Sequence, residues 1–202
     1  MLALLLDARW PDQIPLDAWG RCTGPVRGTE EAPPGVVRRL GEVLPAGEGT
    51  LVTTRPEEIP EGCEVVAAPS LDDPMRRARQ VMRRARRIGQ WERGQTHATL
   101  VPYLLEEAAE FAQEVRGGGT GRELRGELGD VLLQVLFHSQ IAEERGDFDL
   151  DDVAMSFIHK MHSRAPYLFD GTEEVVPVAE QERLWAEGKR RERCATMNPH
   201  GG

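Results

Sequence analysis

Two textures of apolar and polar positions divide this chain. Through residue 70 the apolar runs are short and bounded by Gly and Pro, and three of them, residues 2–6, 51–54 and 64–68, read as strands. Between the first two, Val36, Val37, Leu40, Val43 and Leu44 recur at helical spacing within residues 34–44. A small α/β unit with long loops is expected over residues 1–70, and it carries no chemical motif. After Pro69, Ser70 and Leu71 the apolar period lengthens to that of helices, which predicts an all-α domain over residues 71–195 and a disordered tail over 196–202.

Within the helical part, Asp73 and Pro74 supply an N-cap and a first helical residue for a segment running to Ile88. Seven arginines surround its apolar line of Met75, Ala78, Met82 and Ala85, and a solvated basic face accounts for them more simply than nucleic-acid binding does. A second helix is expected from about Thr99, with Pro102 in its first turn, to the glycines at 117–119, with Leu104, Ala108, Phe111 and Val115 as its core stripe. The third spans residues 122–145 and is apolar on nearly every face from Val131 to Phe137, which calls for burial in a bundle or at a subunit interface. Asp149 and Asp152 form a capping-box pattern for a fourth helix, whose buried face would be Val153, Phe157, Ile158 and Met161 and whose end is set by Pro166. A last, mostly polar helix covers residues 178–193.

Composition narrows the class. At 202 residues the chain is long enough for one domain with a proper core or for an ordinary domain carrying a small second unit, and 40% apolar residues with few aromatics read as globular and mainly α. A net charge of −9 repels polynucleotides, so no nucleic-acid partner is expected. No apolar run approaches the roughly 20 residues that cross a bilayer, and residues 1–6 lack the basic flank and length of a signal peptide. Cys22, Cys63 and Cys194 are odd in number and far apart, which fits structural thiols in a reducing, cytoplasmic setting and no zinc site.

The sharpest feature is acidic. Glu106, Glu107 and Glu110 fall on the second helix, and Glu127 and Asp130 on the third; Glu107 and Glu110 lie one turn apart, as do Glu127 and Asp130. If the two helices pair antiparallel across the glycine turn, four carboxylates meet, and their mutual repulsion asks for a hard divalent cation, Mg²⁺ with Mn²⁺ as substitute. Solvent-facing glutamates on Glu/Ala-rich helices would show the same spacing, and spacing by itself leaves both readings open. A di-iron carboxylate bundle calls for Glu-x-x-His ligand pairs, and none of the five histidines has a Glu three residues before it.

With those residues in view, the segment from Trp91 to Arg193 resembles the MazG-type nucleoside triphosphate pyrophosphohydrolases. The likeness runs through Trp91 to Thr96, Pro102 to Glu107, Glu123 to Gln134, Gly146 to Val153 and Arg164 to Phe169, about half of the chain. It implies an all-α helical-bundle domain in which Glu107, Glu110, Glu127 and Asp130 hold Mg²⁺, with Glu106 as a further acidic group for a second ion or a water. Such proteins cleave nucleoside triphosphates to monophosphate and pyrophosphate and generally work as dimers, so a homodimer or higher homo-oligomer is expected. The implied chemistry is metal-assisted attack of water on the triphosphate, with Glu106 or Glu110 accepting the proton.

Binding of the substrate is expected to use Lys160 and Arg164, one turn apart on the fourth helix, for phosphate, with Lys189 as the chain's second lysine. Trp91 and Trp185 match family tryptophans and are candidates to stack on a base, although a tryptophan is more often a core or interface residue than a base platform. Arg93 stands where the family usually has Lys; Glu92, Gly94, Ala165 and Tyr167 are further departures, and they bear on base and phosphate recognition and not on the metal ligands. The expected role is broad nucleotide-pool cleaning. A narrower dUTP or phosphoribosyl-ATP pyrophosphohydrolase and a non-catalytic nucleotide-binding regulator are the alternatives.

Overall fold

The computed structural model describes residues 1–197, with side chains through residue 194. The chain folds as two compact units, Met1–Val81 and a second beginning at Met82.

Four parallel strands make the sheet of the first unit: β1 (Leu2–Leu5), β2 (Gly24–Gly28), β3 (Ala46–Thr53) and β4 (Glu64–Ala67), in the order β2-β3-β1-β4. β1 lies inside, paired with β3 from Leu2 opposite Thr50 and with β4 from Leu2 opposite Glu64. Its four residues are all buried, which explains an apolar run without alternation. Helix α1 (Pro34–Val43) packs Val36, Val37 and Leu40 onto the core of Leu4, Leu6, Cys22, Val52 and Val66. The strand that the apolar pattern misses is β2, whose sequence Gly-Pro-Val-Arg-Gly has no strand signature; it is an edge strand, where Pro25 removes no needed donor.

At the carboxyl end of β1, Asp7 is buried and ion-paired with Arg9, Nη2 to Oδ2 2.8 Å, with the Arg76 guanidinium 3.7 Å away. Hydrogen bonds from Arg9 hold its carboxyl at a pKa of about 2. The three cysteines are all free thiols, and Cys22 is buried.

Helix α2 (Pro74–Ile88) starts where the cap pattern places it, with the Arg76 N–H donating to Asp73 Oδ2 at 2.9 Å. Its basic face is more engaged than a solvated one: Arg83 pairs with Glu143, and Arg86 with Glu144. A short α3 (Gln90–Gly94) follows. α4 (His97–Gly117) begins before Thr99, because Thr96 and Thr99 cap one another reciprocally. Pro102 is therefore in the second turn, and the helix continues past it with the Ala98 carbonyl deprived of its usual donor.

Gly118, at φ +77°, closes α4, and the Gly119 N–H donates to the Glu114 carbonyl (2.9 Å), so α5 (Gly121–Arg145) turns straight back along α4. α6 (Leu150–Arg164) has the reciprocal Asp149/Asp152 cap. α7 runs Val178–Met197, past Arg193 and into the expected tail; the rest of that tail, 198–202, lies outside the described residues. α6 and α7 cross closely at Gly188, where an added Cβ would fall 2.5 Å from the Ser163 carbonyl oxygen.

Two expected core stripes are only partly covered among the described residues. On α4, Ala108 and Val115 are exposed, and on α6 no residue is buried, with Phe157 59% and Ile158 37% exposed. Helical period identifies an apolar face but not what covers it. No helix among the described residues is long and apolar enough to cross a membrane.

Candidate active site

The α4–α5 hairpin brings the acidic pairs together. Carboxylate oxygens of Glu107, Glu127 and Asp130 lie within 4.8 Å of one another. Glu107 and Glu127 are half-buried and Asp130 is exposed. Burial, then the charges of Asp130, Glu110, Glu106 and Glu127, push the Glu107 carboxyl above the ordinary carboxylate range. The Glu127 carboxyl is pushed up too, by burial first and then by Glu110, Asp130 and Glu114. Glu110 and Glu106 thus belong to the same electrostatic cluster, although among the described residues three, Glu107, Glu127 and Asp130, converge within ligand distance.

What this arrangement lacks is positive charge. Among the described residues no Lys or Arg pairs with Glu106, Glu107, Glu110, Glu127 or Asp130, and Glu127 Oε2 is buried with no hydrogen-bond partner. Negative charge gathered at partial burial with an unpaired oxygen is costly unless a cation compensates. An all-oxygen set without imidazole or thiolate fits a hard ion such as Mg²⁺.

The cationic candidates fall into two groups. Arg164, near the end of α6, meets Glu192 of α7 in a two-pronged ion pair, and its guanidinium lies 5.2 Å from the Trp185 ring centroid. Lys160 is close enough for its charge to help hold the Glu192 carboxyl low, after the larger effects of Arg164 and Ser163. Lys160, Arg164, Trp185 and Glu192 therefore share one neighbourhood at the α6–α7 crossing, while Lys189 is exposed on α7.

Arg93 is elsewhere. It lines a basic cavity of about 500 Å³ with Arg83, Arg86, Arg87 and Glu144, and Glu144 follows Asp130 along α5 by about four turns, or roughly 21 Å. Trp91 is half exposed and packs edge-on against Tyr103 and Phe137, with centroids 5.7 and 5.9 Å apart.

One residue went unmarked in the sequence. Gln134, a single polar residue within the apolar run of α5, stands one turn beyond Asp130 and is only 4% exposed, with Oε1 unpartnered. The signal available was an amide in the middle of Val131 to Phe137.

Both units of the chain are similar to known proteins. The family model described as "MazG nucleotide pyrophosphohydrolase domain" matches residues 95–169, and that described as "MazG N-terminal domain" matches residues 1–84. A nucleoside triphosphate pyrophosphohydrolase of Mycolicibacterium smegmatis is 39% identical over 96% of this chain and 63% of its own length. One from Mycobacterium tuberculosis is 36% identical with the same coverages, and one from Escherichia coli is 42% identical over 39% of this chain and 30% of its own. The chain thus spans about 63% of the mycobacterial relatives. Among solved structures, a mazG-related protein from Thermotoga maritima superposes with a TM-score of 0.50 at 28% identity, covering 56% of this chain and 97% of that one.

Proposed function

Since this chain belongs to the MazG family in both of its units, we propose that it hydrolyses nucleoside triphosphates to nucleoside monophosphate and pyrophosphate with a divalent cation, Mg²⁺ or Mn²⁺. The observation that carries the reading is the convergence of Glu107, Glu127 and Asp130 within 4.8 Å with no cationic side chain among the described residues paired to them. These three would hold the ion, with Glu110 beside them. The chemistry supplied by a bound Mg²⁺ is neutralisation of the triphosphate charge and acidification of the attacking water.

The chain's own residues supply the rest. Glu106, exposed and next to Glu107, and Glu110, one turn on, are the carboxylates placed to accept the proton of that water. Lys160 and Arg164 bind phosphate oxygens; for Arg164 this means exchanging the Glu192 carboxylate for the substrate. Clearing of canonical or damaged nucleotides from the pool is the role that a broad substrate range would serve.

The active form we assign is a homodimer. Apolar side chains on three helices of the second unit are open to solvent, Leu105 at 65%, Leu128 at 53% and Phe157 at 59%, and burial against a second copy would remove that apolar surface from water.

Incubation of the purified protein with each ribo- and deoxyribonucleoside triphosphate, with and without Mg²⁺, followed by anion-exchange separation, tests the reaction. Monophosphate and pyrophosphate appearing with metal alone is the expected result. Diphosphate with phosphate, or no turnover of any triphosphate, would overturn it.

A further inference from the structure

The basic cavity beside Arg93, about 500 Å³ in volume, is walled by three elements: α2 with Arg83, Arg86 and Arg87, α3 with Arg93, and the end of α5 with Glu144. Apart from Glu144 every wall residue is an arginine, in a chain whose net charge is −9. Two of the four guanidiniums are already engaged. Arg83 pairs with Glu143, and Arg86 with Glu144, Nε to Oε1 at 3.0 Å. Those of Arg87 and Arg93 have no ion-pair or hydrogen-bond partner among the described residues, and both residues are exposed. The carbonyl end of α2 offsets about half a charge, so an excess of positive charge remains.

A solvated arginine patch would carry the same charge, but it would lack a fixed frame. Here the Arg86 side chain is only 9% exposed, and its Nη1 donates to the carbonyls of Glu92 and Gln95, the latter at 3.1 Å. One guanidinium thus ties α2 to α3, to the residues leading into α4 and, through Glu144, to α5. Arg87 and Arg93 project from walls that are locked to one another before any ligand arrives, which lowers the ordering cost of binding.

The residue type sets the ligand class. Guanidinium forks match pairs of phosphate oxygens in geometry and stay charged at any working pH. Two unpaired forks call for a ligand of at least two negative charges, and the volume admits several linked phosphate groups.

We infer that this cavity is a second anion site, which binds linked phosphates without a divalent cation. Glu144 follows Asp130 by roughly 21 Å along α5, too far for the three phosphates of one nucleotide to bridge both places. The site is therefore separate from the one at the carboxylates, and it does not depend on the hydrolase reading. Free inorganic polyphosphate and the phosphate tail of a nucleotide share the required chemistry.

Calorimetric titration of the full chain in chelator tests the site, because no metal-dependent turnover takes place there. The probes are inorganic tripolyphosphate, ATP, adenosine and citrate. Tripolyphosphate should bind the wild type, and Arg87→Ala with Arg93→Ala together should raise its Kd at least about tenfold, given the strength of charge-assisted hydrogen bonds. Arg84→Ala, which removes an exposed charge of α2 outside the cavity, should change Kd less than about twofold. Tripolyphosphate should also raise the Tm of the wild type and not that of the double variant. ATP binding more tightly than tripolyphosphate identifies the nucleotide as the source, and the reverse identifies free polyphosphate; either supports the site. No binding to the wild type, equal weakening by Arg84→Ala, or a Kd unchanged in the double variant would overturn it. So would adenosine binding as tightly as ATP, or citrate as tightly as tripolyphosphate. If melting shows that the double variant has lost its fold, Arg87→Glu alone decides between the same outcomes.

Discussion

Arg164 and Glu192 clasp one another across the α6–α7 crossing, with Nη2 to Oε2 at 2.6 Å and Nε to Oε1 at 3.1 Å. On the proposed phosphate role of Arg164, the carboxylate occupies the fork that a phosphate would use and would compete with substrate. Glu192→Gln should lower KM for nucleoside triphosphates, by no more than about fivefold given the strength of a partly exposed ion pair. Arg164→Ala should raise KM at least tenfold. Steady-state kinetics on both variants checks this, and a Glu192→Gln variant with raised KM would remove Arg164 from the phosphate site.

At the carboxylate cluster like charges gather with no cationic side chain paired to them among the described residues, and the proposed divalent ion would offset them. Glu127→Gln removes one charge and keeps the shape. It should melt no lower than the wild type in chelator and should lose most of the Mg²⁺-induced rise in Tm, because binding to the native state alone stabilises it by about 2.7 kcal/mol at a hundredfold excess over Kd. Calorimetric melts with and without Mg²⁺ measure both effects. Replacing Glu107 and Asp130 together by Ala should abolish hydrolysis with the helical signal intact.

Asp7 gives the first unit a pH dependence of known sign. Its folded pKa of about 2 lies below the ordinary 3.8, so the native state binds fewer protons than the unfolded chain, and stability falls as the pH drops between those values. The shift corresponds to about 2 kcal/mol, present above pH 4 and lost towards pH 2. Urea denaturation should find Asp7→Asn less stable by about that amount at pH 7 and the two proteins converging near pH 2. A constant difference across that window would assign the loss to packing.

Phe157 is expected to sit under the partner subunit. Phe157→Glu should shift the protein from dimer to monomer in sedimentation velocity at micromolar concentration. A variant that remains dimeric would leave the α6 face outside the interface.

The caps were legible because their geometry is local. Asp149 and Asp152, three residues apart, meet across one helical turn wherever the helix goes, and Asp73 caps α2 for the same reason. Thr96 and Thr99 are an equally local pair, but a hydroxyl at the third position is a weaker signature than a carboxylate, and α4 starts ahead of the Thr99 that the pattern suggests. β2 became a strand only through its pairing with β3, a partner some twenty residues away that its own glycines and proline do not announce.

In the acidic site the helical period alone put Glu107 beside Glu110 and Glu127 beside Asp130, since 3.6 residues per turn fixes what shares a face. The sequence by itself thus determined the class of the fold, the two acidic faces and the chemistry those carboxylates can support. The register of α4 against α5 decided that Glu107, Glu127 and Asp130 converge, that His97 meets His138 across forty-one residues, and that Gln134 closes a cavity instead of facing water. It also placed Arg93 far along α5 from the carboxylates. Those are relations between residues distant in the chain, and they exist only once packing has chosen one register among the several that an apolar helix face permits.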